Sequence, residues 1–226
     1  MPFAPIPSPT IPTSDGEHFP VRRIYCVGRN YRAHAIEMGG DPDREPPFFF
    51  LKPADAIVAG DSTIVYPPRT QDFQHEIELV VAIGKGGRDI PVTSALDHVY
   101  GYAVGLDMTR RDLQAVARKA GRPWDMGKGF DQSAPCGPLS PVSQVGHIAT
   151  GTISLAVNGS IRQSSDLSLM IWSVAEVIAD LSRYGTLVAG DLIYTGTPEG
   201  VGAVQPGDVL TGKIDGLQSL TVTIAG

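Results

Sequence analysis

The chain of 226 residues is poor in cysteine, in long apolar runs and in positive charge. Its two cysteines, Cys26 and Cys136, form no CxxC pair and are too few for a disulfide framework, so they read as reduced thiols. No apolar run approaches the ~20 residues that cross a bilayer, which argues against a membrane partner. The opening "MPFAPIPSPTIPTSDGEHFP" lacks the basic start and continuous apolar stretch of a signal peptide, and a cytoplasmic location is expected. Lysine and arginine number 18 against 24 acidic residues, a net charge of -6 with no basic stripe, which argues against a nucleic-acid surface. There is no G-x-S-x-G elbow. "TGTPEGVG" (195–202) lacks the Lys-Ser/Thr ending and following helix of a phosphate-binding loop. A hydrolase built on this chain would have to activate water.

Glycine and proline are plentiful, at 26 and 19 residues, which favours many short strands joined by turns over a helix bundle. The length fits one domain. Residues 1–20 read as an extended Pro-rich arm and residues 21–226 as a single domain. Strands are predicted at 21–28, 48–52, 62–66, 75–83 and 99–107. The last of these ends on Asp107. A short helix is expected around "RNYRAHAIEMGG", ended by Gly39 and Gly40, then a loop at "DPDREPP" and another helix in "MTRRDLQAVARKAG". Asn158-Gly159 between alternating runs marks a hairpin with a type I′ turn. The longest helix is predicted from about Leu167 to Tyr184, with Met170, Val174, Val177, Ile178 and Leu181 on one stripe.

Three sets of polar residues could carry chemistry. In "DFQHEIELVVAIG" (72–84), Glu76 and Glu78 share one strand face, and their carboxylates repel unless that face is solvated or something positive lies between them. With Asp107 they offer three hard oxygen ligands of the kind that suits Mg²⁺ or Mn²⁺. His34 and Glu37 in "HAIE" share a helix face, where a carboxylate fixes the imidazole tautomer and raises its basicity; an exposed His/Glu pair reads equally well. Lys128 lies in "DMGKGFDQSAPCGP", where it is either a loop lysine or a positive charge beside an anionic substrate. His18, His98 and His147 are isolated, and His75 faces away from the glutamates.

Taken in order, "YCVGRNYRAHAIEMG", "PPFFFLKPADAIV", "HEIELVVAIGKGGRDI", "GYAVGLDMTRRDLQ", "KGFDQSAPCGP", "VNGSIRQ" and "IYTGTPEGVG" resemble the fumarylacetoacetate hydrolase family from Arg22 to the C-terminus. The resemblance implies a mainly β (α+β) fold, a mixed β-sandwich roll with a few outer helices, assembled as a homodimer. It implies a Mg²⁺ or Mn²⁺ site at Glu76, Glu78 and Asp107, and a water-activating pair at His34 and Glu37. Lys128 matches the active-site lysine, Arg111 and Gln114 match positions that bind substrate and polarise its carbonyl, and Thr197 matches a hydroxyl that holds the pyruvate-like carboxylate. Within the family the chain looks most like bacterial hydrolases of fumarylpyruvate or maleylpyruvate in aromatic-acid catabolism, whose substrate is a 2,4-diketo acid. Arg110 and Arg111 are candidates for its distal carboxylate. Family decarboxylases and isomerases acting on oxaloacetate or related 2-keto acids share the same metal positions and form the rival expectation.

Overall fold

The strand Ile77–Ile83 is buried along its whole length, and its two faces enter different cores. Ile77, Leu79, Val81 and Ile83 join one apolar cluster, while Val80 and Ala82 join a second. A strand covered on both faces reads as a continuous apolar run, which is why "IELVVAI" shows no polar alternation beyond its single glutamate. Each fully buried Ile, Leu or Val contributes roughly 1.5–3 kcal/mol, so this one strand is a principal stabiliser of both cores.

The computed structural model describes residues 7–39 and 45–226. Among these, Ile77–Ile83 is central in an eight-stranded mixed sheet. Its strand order is Phe48–Lys52, Arg23–Gly28, Asp191–Tyr194, Ile77–Ile83, Val99–Leu106, Ala134–Cys136 and Ile57–Ala59, and Ser140–Pro141 also pairs with Val99–Leu106. A five-stranded sheet, Ser160–Asp166, Thr152–Val157, Val209–Ile214, Leu220–Ala225 and Ser62–Val65, supplies the other side of the first core. The result is mostly β with a few helices, as expected. Asn158 and Gly159 both have positive φ (51° and 80°) in the turn that joins Thr152–Val157 to Ser160–Asp166. That is the geometry of a type I′ turn.

Four expectations are corrected. The predicted strand 75–83 is two strands. Phe73–His75 pairs with Thr109–Arg110 and Gly202–Ala203 in a separate three-stranded sheet, and the chain changes sheets at Glu76. The long helix is Val174–Tyr184, because Ser173 and Glu176 form a capping box that starts it there; Leu167–Leu169 is a separate 3₁₀ turn capped by Asp166. Met170 therefore lies outside the helix stripe. Residues 7–20 are not an extended arm: Thr10–Pro12 pairs with His18–Pro20, and the hairpin buries Ile11 and Phe19 in the second core. The prolines sit at the ends of short paired segments, where a missing N–H is tolerated. Lys128 ends a short helix, Asp125–Lys128, rather than lying in a loop. Gly40 and the first residues of the "DPDREPP" loop lie outside the described residues, as do residues 1–6.

Cys26 and Cys136 are both free and buried in the second core. Burial pushes both thiols up, Cys136 to about 12, so neither is a nucleophile.

Candidate active site

The acidic cluster follows from sheet register. Ile77 pairs with Leu106 and Glu78 with Gly105, so Glu76 and Asp107 are the next opposed pair, just where both strands leave the sheet. The Asp107 N–H donates to the Glu76 carbonyl over 2.8 Å and closes that corner. Ligand oxygens of Glu76, Glu78 and Asp107 lie within 4.8 Å of one another, and all three side chains are buried. A solvated strand face is thereby ruled out.

Three buried cations surround these carboxylates. Lys128 Nζ donates to Glu76 Oε2 (2.8 Å), Asp107 Oδ2 (2.7 Å) and Thr109 Oγ1 (2.7 Å). Arg111 donates from Nη2 to Glu76 Oε1, from Nε to Gln74 (2.9 Å) and from Nη1 to Gln114 Oε1 (2.6 Å). Lys52, at the end of strand Phe48–Lys52, donates to the carbonyls of Met108 and Lys128. Its Nζ lies 2.8 Å from Asp107 Oδ1, but out of line for a hydrogen bond, and that buried oxygen has no hydrogen-bond partner.

The charges are unevenly shared. Burial alone would raise Glu76, but Lys128 and Arg111 outweigh it and hold its carboxyl well below the usual range. Lys128 is likewise opposed by burial, yet Asp107 and Glu76 raise it above an ordinary lysine. For Glu78, burial and then the charges of Asp107 and Glu76 push the carboxyl well above the usual range, with the Gly196 N–H (2.8 Å) and the Lys128 charge in partial compensation. An under-compensated Glu78 and an Asp107 oxygen without a hydrogen bond, clustered with Glu76, form a donor set that fits one hard divalent cation.

The remaining polar groups converge on the same space. The helix Arg32–Glu37 places His34 Nδ1 3.1 Å from Glu37 Oε2, and Glu37 Oε1 accepts the Gly200 N–H over 3.0 Å, tying this helix to the loop after strand Asp191–Tyr194. Because Arg111 occupies Gln114 Oε1, the Gln114 amide nitrogen is the end left to donate. Thr197 Oγ1 accepts from Gln163 Nε2 over 2.8 Å, and Gln163 is fully buried. A cavity of about 250 Å³ is lined by His34, Glu76, Glu78, Asp107, Arg111, Gln114, Lys128 and Thr197. Of the sequence-predicted site residues, Glu37 is off this wall, standing behind His34, and so is Arg110.

Arg111 reaches the cavity but its guanidinium is committed to Glu76, Gln74 and Gln114, so it braces the wall. Arg110 is not on the cavity wall: its guanidinium stacks 4.3 Å from the Phe130 ring centre and donates to the Met126 carbonyl. The cations on the outer wall are instead Arg29, Arg118 and Lys119. Arg29 is a non-glycine residue held at φ 56°, a costly conformation of the kind that concentrates at functional sites.

Sequence reasoning missed Lys52, Gln163 and these three cations. For Lys52 a signal was available, since a lysine closing the apolar run "FFFLK" is hard to place in a core without partners. Gln163, in the polar run "SIRQSSD", gave none.

The pattern of the family described as "Fumarylacetoacetate (FAA) hydrolase C-terminal" matches residues 23–225. A fumarylpyruvate hydrolase of Ralstonia sp. is 48% identical over 184 residues, covering 81% of this chain and 95% of the relative. A mitochondrial oxaloacetate decarboxylase of Dictyostelium discoideum is 42% identical over 199 residues, 88% of this chain and 91% of the relative. The crystal structure of a fumarylpyruvate hydrolase from Pseudomonas aeruginosa, in complex with Mn²⁺ and pyruvate, superimposes with a TM-score of 0.97 at 58% identity, covering 99% of this chain and 98% of that one. With these matches over nearly its whole length, the chain belongs to the fumarylacetoacetate hydrolase family.

Proposed function

We propose that the protein is an acylpyruvate hydrolase that cleaves fumarylpyruvate, or its cis isomer maleylpyruvate, to pyruvate and the C4 dicarboxylate. The observation that carries this reading is the buried Glu76–Glu78–Asp107 cluster sharing one cavity with the His34–Glu37 pair. The similarity to a protein holding Mn²⁺ and pyruvate supports it.

Glu76, Glu78 and Asp107 would hold Mn²⁺ or Mg²⁺. When bound, the dication supplies Lewis-acid stabilisation to the 1-carboxylate and 2-keto oxygens of a 2,4-diketo acid. Lys52, Lys128 and Arg111 already balance the three carboxylates, so a loaded site has an excess of two positive charges for a substrate with two carboxylates. Thr197 donates its hydroxyl to the proximal carboxylate. Arg29, Arg118 and Lys119, which make no ion pair among the described residues, face the distal one.

His34, oriented by Glu37, takes a proton from water as its oxygen bonds to the 4-carbonyl carbon. The Gln114 amide donates to the oxyanion that forms. Collapse breaks the bond between carbons 3 and 4, and its electron pair passes to the pyruvate enolate. Protonation of carbon 3 by the His34 imidazolium then completes pyruvate and restores the base. Lys128 keeps the ligand cluster ionised and together as negative charge grows on the 2-oxygen. Residues 21–226 would form the catalytic unit, acting as a cytoplasmic homodimer in aromatic-acid catabolism.

The oxaloacetate-acting relative favours a second reading, decarboxylation of a 2-keto diacid in the same cavity. Loss of fumarylpyruvate and maleylpyruvate absorbance with Mn²⁺ and with EDTA, against pyruvate formed from oxaloacetate, separates the two. Turnover of oxaloacetate alone would replace the hydrolase reading.

A further inference from the structure

Gln163 is fully buried on the strand Ser160–Asp166, and every hydrogen-bonding position of its amide is engaged. Its Oε1 accepts the Ile77 N–H over 3.1 Å and lies 2.9 Å from His75 Nδ1. Its Nε2 donates to Thr197 Oγ1 and to the Pro198 carbonyl, each over 2.8 Å. A backbone N–H can only donate, so the Ile77 N–H fixes the amide oxygen on that side and the NH₂ group toward Thr197. His75 Nδ1, facing the same oxygen, carries its proton. Both amide hydrogens are used, and Thr197 receives one of them.

A hydroxyl that accepts from a fixed amide keeps one hydrogen of its own to give. Thr197 lines the cavity with the three acidic residues, and the groups behind it are taken. We infer that Gln163 is a positioning residue: it directs the Thr197 hydroxyl proton into the cavity, toward the carboxylate of the bound 2-keto acid. The same amide grips the backbone of Ile77, between Glu76 and Glu78, so it also sets the spacing between that hydroxyl and the acidic strand. This inference rests on the acylpyruvate reading of the cavity.

The test compares wild type, Gln163→Glu, Thr197→Val and the double variant by hydrolysis kinetics and by calorimetric titration with pyruvate in the presence of Mn²⁺. The Gln163→Glu change keeps the shape of the side chain but puts an acceptor where the donor stood, and the Thr197 proton would turn back to it. The expected result is a rise of about tenfold or more in KM and in pyruvate Kd for each single variant, with kcat affected far less. The double variant is expected to be no worse than the poorer single one, because coupled residues are not additive. A merely structural role for Gln163 would lower Tm and leave KM and Kd unchanged. That result, or a multiplicative effect in the double variant, overturns the inference. If Gln163→Glu does not fold, Gln163→Met keeps the length without the donors and is read the same way. Wild type that binds pyruvate but cleaves no acylpyruvate overturns the functional reading alone, and the pyruvate titration then decides this one.

Discussion

The Lys128 ammonium donates to Asp107 Oδ2 over 2.7 Å and, from the same nitrogen, to Glu76 Oε2 over 2.8 Å, so one buried cation holds two of the three proposed metal ligands. Lys128→Met removes it and leaves two buried carboxylates facing each other. Breaking a buried pair from one side costs about 3–5 kcal/mol. The metal-free variant should lose stability of that order in urea unfolding, and Mn²⁺ should restore part of it. A loss under about 1 kcal/mol, well short of that cost, would show that Lys52 and Arg111 suffice without Lys128.

Glu78 gives the opposite outcome. Burial and its acidic neighbours raise it, so a neutral amide is better tolerated there than a carboxylate. Glu78→Gln should leave metal-free stability near pH 8 equal or higher. It should also abolish the stabilisation by Mn²⁺, which for wild type is about 2.7 kcal/mol at a hundred times Kd. Thermal unfolding with and without Mn²⁺ reads both effects, and an unchanged Mn²⁺ response would remove Glu78 from the ligand set.

The same two glutamates set opposite pH limits on the metal-free protein. Glu76 is depressed in the folded state, so its contribution is present above the ordinary carboxylate value of 4.5 and is lost as pH falls through its depressed folded value. Glu78 is raised, so stability is greatest below 4.5 and falls as pH climbs toward its folded value. Metal-free stability should therefore decline on the alkaline side of 4.5, and Glu78→Gln should flatten that decline. A urea midpoint series across pH, with EDTA present, checks the sign.

How far the sequence was legible depends on whether the residues obeyed a local period. Glu76 and Glu78 were readable as a pair because a strand repeats every two residues, and Asp107 because it closes an apolar run. The sheet change at Glu76 was not readable, since the side-chain alternation passes through it unbroken. The helix start at Ser173 was written as Ser-x-x-Glu but lay inside a longer apolar stripe that also fits helical spacing. Gln163 reaches the site by contact between sheets, which no local pattern encodes; the run "FFFLK" marked Lys52 as a buried lysine in need of partners, but only sheet pairing sets which partners those are.

His34→Ala should lower kcat by about 10²–10⁴, the usual worth of a positioned base, while leaving Mn²⁺ affinity unchanged. Glu37→Gln should cost less, since a neutral amide can still accept the Gly200 N–H. Steady-state kinetics with a parallel Mn²⁺ titration separates loss of base from loss of metal. Equal loss of Mn²⁺ binding would contradict the assignment.

Arg29→Leu should raise KM for fumarylpyruvate by about tenfold and leave acetylpyruvate, which lacks a distal carboxylate, nearly unaffected. Equal effects on both substrates would place Arg29 elsewhere in the mechanism.

The most direct measurement is the stoichiometry of pyruvate formed from fumarylpyruvate, followed by a coupled assay with Mn²⁺ and again with excess EDTA. The account predicts one pyruvate per substrate consumed, with turnover abolished by EDTA and restored by added Mn²⁺. No fumarylpyruvate consumed while oxaloacetate yields pyruvate, or turnover indifferent to EDTA, would contradict it.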